Sequence, residues 1–509
     1  MSLINKLIMA AYNGRYRQFD RMATDGAAIQ AAQLDILTAR GAETAIGRDL
    51  GLKPQMSYAD FNRQVPVGDY ESFRPYVERM LQGETDVTWP GKVRWFAKSS
   101  GTSGSKSKFI PVTDDALRLC HTRGNHDVIA NYFRQHPDTN VWKGKCLTLG
   151  GSKQLTSTGT GSQTGDLSAI LIGSAPAWSD LFRAPKKDIA LIAHWEEKLE
   201  KITNATIGQN ITSLAGVPSW FLVLIKYIME RKGAKTLQDV WPNLELFIHG
   251  GINFEPYREQ YKALAPNGIN FLETYNASEG FFAIQTDPTD RGMQLMLDYG
   301  VFYEFVPLDQ VGQPHPAGIV PLEGVTTGVD YAVVITTNGG LWRYMIGDTV
   351  RFTQTKPWKI IISGRTKLYI NAFCEELMIS NAEAAMAKAC AATGAVVKDY
   401  TAAPVFMDQQ TRGCHQWLVE FETAPADADA FAHELDVALQ SVNSDYEAKR
   451  YKDITLAPLR LTVAHDGLFE GWLAAHGKMG GQNKVPRLRN DRQIIDELLQ
   501  MNSSPNKTT

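Results

Sequence analysis

The 509-residue chain is poor in cysteine, has almost no excess of either charge and contains no long apolar run. Its five cysteines, Cys120, Cys146, Cys374, Cys390 and Cys414, are odd in number and include no C-x-x-C pair. That spacing excludes a disulfide framework or a zinc knuckle as the organising device, and a reducing, cytoplasmic compartment is the expectation. With 52 Lys and Arg against 55 Asp and Glu the formal charge is -3, too balanced for a basic nucleic-acid binder or an acidic tail protein. The longest apolar run, Trp220–Ile225, is interrupted by Lys226 and falls well below the roughly 20 residues that cross a bilayer, so no membrane span is expected. Leu3–Tyr12 carries Lys6 and reads as an amphipathic first helix, not a secretory leader. His121 and His126 stand five apart, off the i,i+4 face that helical metal ligands share, and no carboxylate cluster completes a site.

What is present is the composition of a globular protein, 44% hydrophobic and 21% charged, long enough for two to four folding units. The first ninety residues read as helical: Ile29, Ala32, Ile36 and Leu37 recur at helical spacing, and Gly41 stands where a C-terminal cap belongs. From Arg94 to Thr353 short apolar segments bounded by Gly, Asn and Asp predict strands, namely Cys146–Leu149, Ala169–Ile172, Leu244–Ile248, Ile269–Leu272, Val301–Phe305 and Ala332–Ile335. A helix over Trp220–Arg231, ending before Gly233, lies among them, so an α/β sheet is the economical assembly. Beyond Arg365, Ser380 and Glu383 have the S-x-x-E spacing of a capping box ahead of an alanine-rich helix that stops at Gly394. Trp417, Val419 and Phe421 then alternate as a strand, Phe431, Leu435, Leu439 and Val442 line a helix, and Leu459, Leu461 and Val463 alternate again, a small α+β domain. The tail from Asn502 to Thr509 has no apolar anchor and is expected to be disordered.

Four segments carry possible chemistry. Ser99-Ser100-Gly101-Thr102-Ser103-Gly104-Ser105-Lys106-Ser107-Lys108 follows the strand-like Val93–Phe96. Its hydroxyls, glycines and lysines suit either a polyphosphate cradle or a flexible turn, and Lys106 stands where the P-loop signature requires glycine. Phe247-Ile248-His249-Gly250-Gly251 ends a strand with two glycines, which lets a flat ring lie on the backbone or simply makes a turn. Thr274-Tyr275-Asn276-Ala277-Ser278-Glu279-Gly280 offers one carboxylate, Glu279, that either holds magnesium on a nucleotide or is a solvated turn acid. In Trp342-Arg343-Tyr344-Met345-Ile346-Gly347-Asp348 the aspartate either accepts from ribose hydroxyls or makes an Asp turn. Gly159–Gly165 has one residue too many for a dinucleotide fingerprint and reads as a surface loop.

In their order, Ser99–Lys108, Thr274–Glu279 and Tyr344–Asp348 resemble the three nucleotide motifs of the acyl-adenylate-forming, firefly-luciferase-like superfamily. More closely, nearly the whole chain resembles the Gretchen Hagen auxin-responsive family of acyl acid-amido synthetases. The resemblance implies an α/β fold: a large N-terminal domain with a β-barrel and α/β sheets, and a smaller mobile α+β C-terminal domain. The boundaries it implies are residues 1–362 for nucleotide and acyl-acid binding, a hinge at 363–367 containing Gly364-Arg365-Thr366-Lys367, and a mobile domain at 368–509. It matches Ser99, Ser100, Thr102, Lys108, Thr274, Tyr275 (as a platform for adenine), Glu279 and Asp348 to nucleotide contacts, and Gly101, Ser103, Gly250, Gly251 and Arg365 are expected to join them. Glu279 would hold magnesium, and Lys484, in the loop Gly480–Arg487, would meet the phosphates during adenylation. Leu214, Val217 and Trp220, with Pro218, resemble the helical segment that lines the acyl pocket, although apolar residues there also suit plain core. Ser105 and Ala277 depart from the family pattern, where glycine and serine are usual.

The implied activity is ATP-dependent and uses Mg2+: an acyl acid is adenylated, and its acyl group passes to an amino acid amine to give an amide, AMP and pyrophosphate. The other readings are an acyl-CoA synthetase of the same superfamily and a non-catalytic scaffold that binds nucleotide and acyl acid. The expected partners are small-molecule acids and amino acids, with neither nucleic acid nor membrane.

Overall fold

A computed structural model describes residues 2–99, 108–150, 155–192, 195–251, 254–366, 369–407, 412–450, 456–476 and 485–503. The chain opens with five helices, Leu3–Thr24, Gly26–Gly41, Ala45–Asp49, Tyr58–Gln64 and Tyr70–Leu81. Ser2 caps the first by accepting from Asn5 N–H at 3.1 Å. Tyr16, Phe19, Met22, Leu34 and Leu37 turn inward onto the main sheet. Gly41 is the last residue of its helix, and Ala42, not Gly41, is the cap. The glycine answers a packing demand: a Cβ there would stand 2.2 Å from the Trp342 ring.

The main sheet has twelve strands among the described residues. Its antiparallel half runs, neighbour by neighbour, through Val320–Pro321, Val301–Pro307, Asp330–Thr337, Tyr344–Thr355, Trp358–Arg365, Met293–Leu295, Gly280–Gln285 and Asn270–Ala277. From Asn270–Ala277 the pairing turns parallel, through Leu246–Gly250, Ile211–Gly216, Lys145–Thr148 and Arg183–Ala184. Helix Pro218–Lys232 covers this parallel half. It starts with proline at its first position, ends at Gly233 in the left-handed conformation, and buries Phe221, Leu222, Leu224, Ile225 and Ile228 completely. Each such side chain contributes about 1.5–3 kcal/mol. A second sheet, of four strands among the described residues, carries Trp95–Ser99 and Lys108–Val112, which flank the serine-rich segment in sequence, and Gly159 and Gly161 make the turn between Thr156–Ser157 and Gln163–Gly165.

Residues from 370 onward build cores of their own, one around Phe373, Trp417, Phe431, Leu435 and Leu439 and another around Leu418, Phe469, Trp472 and Leu498. Helices Ile379–Thr393 and Ala428–Val442 pack beside the strands Val396–Val405, Cys414–Thr423 and Arg460–Ala464.

Two further expectations fail, one from apolar patterning and one from a capping motif. Ala169–Ile172 belongs to a helix, Leu167–Ser174, not a strand. A run of four apolar residues has no period of its own, and Asp166 just before it is a helix-cap residue type. Ser380 is not a cap either: the helix begins at Ile379, and the Asn381 side chain accepts from Met378 N–H at 3.0 Å. Asn502 and Ser503 end the last helix, Gln493–Ser503, and the remainder of the tail lies outside the described residues. No described helix is long and apolar enough to cross a membrane, and none of the five cysteines forms a disulfide.

Candidate active site

Open α/β sheets bind ligands beyond the carboxyl ends of their parallel strands, and three of the sequence motifs converge there. Gly250 lies in register with Thr274 on the neighbouring strand, and Thr274 Oγ1 donates to the His249 carbonyl at 3.2 Å. The two backbones are so close that a Cβ on Gly250 would stand 2.4 Å from the Thr274 carbonyl oxygen, which glycine alone avoids. His249 is buried and stacked on Phe254 at 3.9 Å. Burial pushes its pKa down to about 3, so the ring is neutral and structural.

Asp348 sits at the centre of the site. Its strand pairs with Trp358–Arg365 so that Asp348 faces Arg365, and Arg365 Nε lies 2.7 Å from Asp348 Oδ1. Tyr275 Oη donates to Asp348 Oδ2 at 2.6 Å. Arg365 continues outward: its Nη2 is 3.5 Å from Glu376 Oε1, and its guanidinium lies 4.8 Å over the Tyr369 ring. Tyr275 is 5% exposed, meets Phe282 edge-on at 4.9 Å and directs its hydroxyl at the aspartate.

Glu279 lies in the turn between Asn270–Ala277 and Gly280–Gln285. Loss of solvent pushes its carboxyl up to about 7. Lys108 and Arg365 oppose that rise, and the Asp348 charge adds to it. Lys108 is itself buried, its ammonium 5.9 Å over the Tyr70 ring, and Tyr70 Oη accepts from Phe109 N–H at 2.8 Å. A carboxyl beside a buried ammonium and near an aspartate–arginine pair suits binding of a polyanion with its cation. Mg2+ usually takes one or two protein carboxylates and completes its octahedron with phosphate and water. Glu279 supplies one such hard oxygen donor, and no cluster of three metal-ligating side chains occurs among the described residues.

Two buried groups at this site escaped the motif reading. The Tyr344 hydroxyl is fully buried, close enough to Glu279 to feel its charge, and has no hydrogen-bond partner among the described residues. His121, from the π-helical turn Ala116–Thr122, lies beside Asn276, and burial pushes its pKa down to about 4. Among the described residues, His121 Nδ1 and Asn276 Oδ1 have no partner. Tyr344 opens the third motif and could have been singled out from it, whereas the contact between His121 and Asn276 has no sequence signal.

Of the residues expected at the acyl pocket, Leu214 lies on strand Ile211–Gly216, wholly enclosed in core, rather than on a helix. Val217 precedes helix Pro218–Lys232 and packs toward Gly251, where a Cβ would stand 3.5 Å from Val217 Cγ2. Trp220 is half-buried on that helix. Ser99 ends its strand, and Ser100, Gly101, Thr102, Ser103 and Lys484 lie outside the described residues.

Comparison with known proteins identifies the family. The sequence model described as the GH3 family N-terminal domain matches residues 15–177 and 161–269, the central domain matches 294–365 and the C-terminal domain matches 380–493. Among curated relatives, an indole-3-acetic acid-amido synthetase, GH3.8, of Oryza sativa subsp. indica is 24% identical over 95% of this chain and 92% of its own. A 4-substituted benzoates-glutamate ligase, GH3.12, of Arabidopsis thaliana is 24% identical, with coverage of 84% and 87%. A jasmonoyl-L-amino acid synthetase, GH3.5, of Oryza sativa subsp. japonica is 24% identical, with coverage of 93% and 94%. In fold, the chain is similar to the AtGH3.15 acyl acid amido synthetase solved with 2,4-DB, at a TM-score of 0.62 and 20% identity over 96% of this chain and 95% of that one. A 2-hydroxyisobutyryl-CoA ligase solved with 2-HIB-AMP and CoA follows at a TM-score of 0.54 and 13% identity, over 94% and 93%. With family domains matched along most of its length, the chain belongs to the GH3 family.

Proposed function

We infer that the protein is an ATP-dependent acyl acid-amido synthetase that adenylates a small carboxylic acid and transfers the acyl group to an amino acid amine. Family membership over most of the chain, together with the Tyr275–Asp348–Arg365 constellation at the strand ends, carries this reading. A free carboxylate acylates poorly because oxide would have to leave. In the first half-reaction a carboxylate oxygen attacks the α-phosphorus of ATP, the bond to the bridging oxygen breaks and pyrophosphate departs. In the second, the amine attacks the acyl carbonyl, the carbon–oxygen bond to AMP breaks, and amide, AMP and a proton are released.

Asp348 accepts from the ribose hydroxyls, with Tyr275 and Arg365 fixing the rotamer of its carboxylate. Tyr275 therefore contributes to nucleotide binding through Asp348. Gly250, Gly251 and Thr274 give the base a close approach to backbone, and Ser99, Ser100, Gly101, Thr102 and Ser103 cradle the phosphates with Lys108. Glu279 is the residue that would hold Mg2+, which when bound offsets charge on the phosphate oxygens. Lys484 adds a cation during adenylation and withdraws when residues 368–509 turn about the hinge at 363–367, away from residues 1–362. Val217 and Trp220 border the acyl acid, and Leu214 backs them from the core. A reducing, cytoplasmic setting suits five unpaired cysteines.

The test is ATP–pyrophosphate isotope exchange with a panel of indole, benzoate, phenoxy and alkyl carboxylic acids, with and without Mg2+, followed by amino acids or coenzyme A as acceptor. Exchange that depends on one acid, followed by amide formation, is the expected result. A thioester product, or tight ATP binding with no exchange on any acid, would refute the assignment.

A further inference from the structure

The loop Asn371–Glu376 holds two non-glycine residues in the left-handed region, Cys374 at φ 64° and Glu376 at φ 39°. Such backbone is strained and persists only where its surroundings over-determine it. Here they do. Asn371 Oδ1 accepts from Glu376 N–H at 3.1 Å, and Glu375 Oε2 accepts from Phe373 N–H at 2.7 Å. Asn443 Nδ2 donates to the carbonyls of Glu375 and Glu376 at 3.0 and 3.3 Å, and His415 Nε2 is 2.8 Å from Glu375 Oε1. Braced from the C-terminal side, the loop turns its carbonyls outward: Ala372 O accepts from Tyr257 Oη at 2.8 Å and Phe373 O from Trp220 Nε1 at 3.5 Å. Tyr257 and Trp220 stand on helices Glu255–Leu264 and Pro218–Lys232, within the first 362 residues.

Beside this loop Lys449, from helix Ser444–Arg450, is 6% exposed, with its ammonium 4.0 Å over the Trp220 ring. Burial pulls its pKa below the usual lysine value, and the nearby Cys374, Asp445, Glu375 and Asp166 side chains oppose that shift. A cation removed from water and seated on an indole face makes the strong form of this contact.

We propose that Lys449 is a positioning residue: by seating on Trp220 it ties the docking of the C-terminal domain to the wall of the acyl-acid site. The acid site is completed only while loop Asn371–Glu376 and Lys449 are docked on helix Pro218–Lys232, so acid binding and domain orientation favour one another. This rests on the assignment of Trp220 to the acyl site made above.

The test compares Lys449→Met, which keeps the stem and removes the charge, with Lys449→Arg, which keeps a cation able to stack, and with Tyr257→Phe, which removes one docking hydrogen bond. Acid-dependent pyrophosphate exchange should show the KM for the acid raised roughly five- to thirty-fold in Lys449→Met, the range of a desolvated cation–π contact. The KM for ATP should stay unchanged, and Lys449→Arg should recover most of the loss. In the ligand-free protein, hydrogen exchange over residues 218–232 should speed up in Lys449→Met and in Tyr257→Phe. Equal impairment of Lys449→Met and Lys449→Arg, or a parallel rise in both KM values, would show plain packing and overturn the proposal, as would unaltered exchange over 218–232. If the wild-type chain gives no acid-dependent exchange, the acyl-site assignment fails, and the coupling is still decided by the hydrogen-exchange comparison.

Discussion

Tyr275 and Asp348, 73 residues apart in sequence, share a 2.6 Å hydrogen bond, and Arg365 occupies the other carboxylate oxygen at 2.7 Å. Both partners hold the aspartate in one orientation. In the ribose contact proposed above, such a pre-oriented acceptor would lose less freedom on binding.

Removing that acceptor should be specific in effect. Asp348→Ala is expected to raise the KM for ATP roughly ten- to hundred-fold, the worth of a charged hydrogen-bonding group. Tyr275→Phe leaves the carboxylate and removes only its orientation, so a rise of about three- to tenfold is expected. Isothermal titration with a non-hydrolysable ATP analogue checks both, and unchanged affinity in Asp348→Ala would remove its ribose role.

Glu279 carries a desolvation cost in the empty site. Glu279→Gln should therefore leave thermal stability equal or slightly higher, while slowing acid-dependent pyrophosphate exchange by about a hundredfold or more, comparable to removing one electrostatic stabiliser from an active site. Raising the Mg2+ concentration should not restore the rate. Parallel melting curves and exchange assays separate the two effects.

Arg343 and Glu304 form a fully buried ion pair at 2.8 Å, with Tyr58 Oη also donating to Glu304 at 3.1 Å. Arg343 adopts φ 43° and donates to the Asn62 carbonyl at 3.0 Å, which ties the third motif to the N-terminal helices. Arg343→Met strands a buried carboxylate and is expected to cost about 3–5 kcal/mol, whereas the double variant with Glu304→Leu should regain much of that loss. Urea unfolding followed by tryptophan fluorescence measures both.

His121 and His249 should make the protein acid-sensitive. Burial lowers their folded pKa to about 4 and about 3, below the ordinary value of 6.5. Between pH 6.5 and about 4 the unfolded chain therefore binds protons that the folded chain refuses, and stability falls as pH falls. Each histidine should contribute roughly a tenfold change in the unfolding constant per pH unit in that window. Denaturant midpoints at pH 7, 6 and 5 test this, and His249→Gln should remove about one proton from the slope.

Much of the architecture was legible in the chain. The apolar stretch Trp220–Arg231 with Gly233 past its end announced helix Pro218–Lys232, and alternation in Trp417–Phe421 announced its strand. Ala169–Ile172 was misread because four apolar residues fit either period, and length and caps decide such cases only when the neighbours are counted. In the site, motif order brought Thr274, Glu279, Asp348 and Arg365 to attention. The motif gave no sign that the Tyr275 hydroxyl reaches Asp348, because that contact is a property of the packed chain.

The sequence by itself determined the local chemistry: which segments are helical or extended, where glycine is required, and which hydroxyls, acids and lysines lie in nucleotide-like motifs. Those are short-range properties, set by backbone sterics, side-chain period and residue type. The tertiary structure alone decided which distant groups meet: Tyr275 with Asp348, His121 with Asn276, Lys449 over Trp220, and the left-handed loop at Cys374 and Glu376 braced by Asn443. The reason is physical. Burial, a shifted pKa and an ion pair's strength depend on how much water the whole fold removes and on which strands lie side by side, and no stretch of neighbouring residues specifies either.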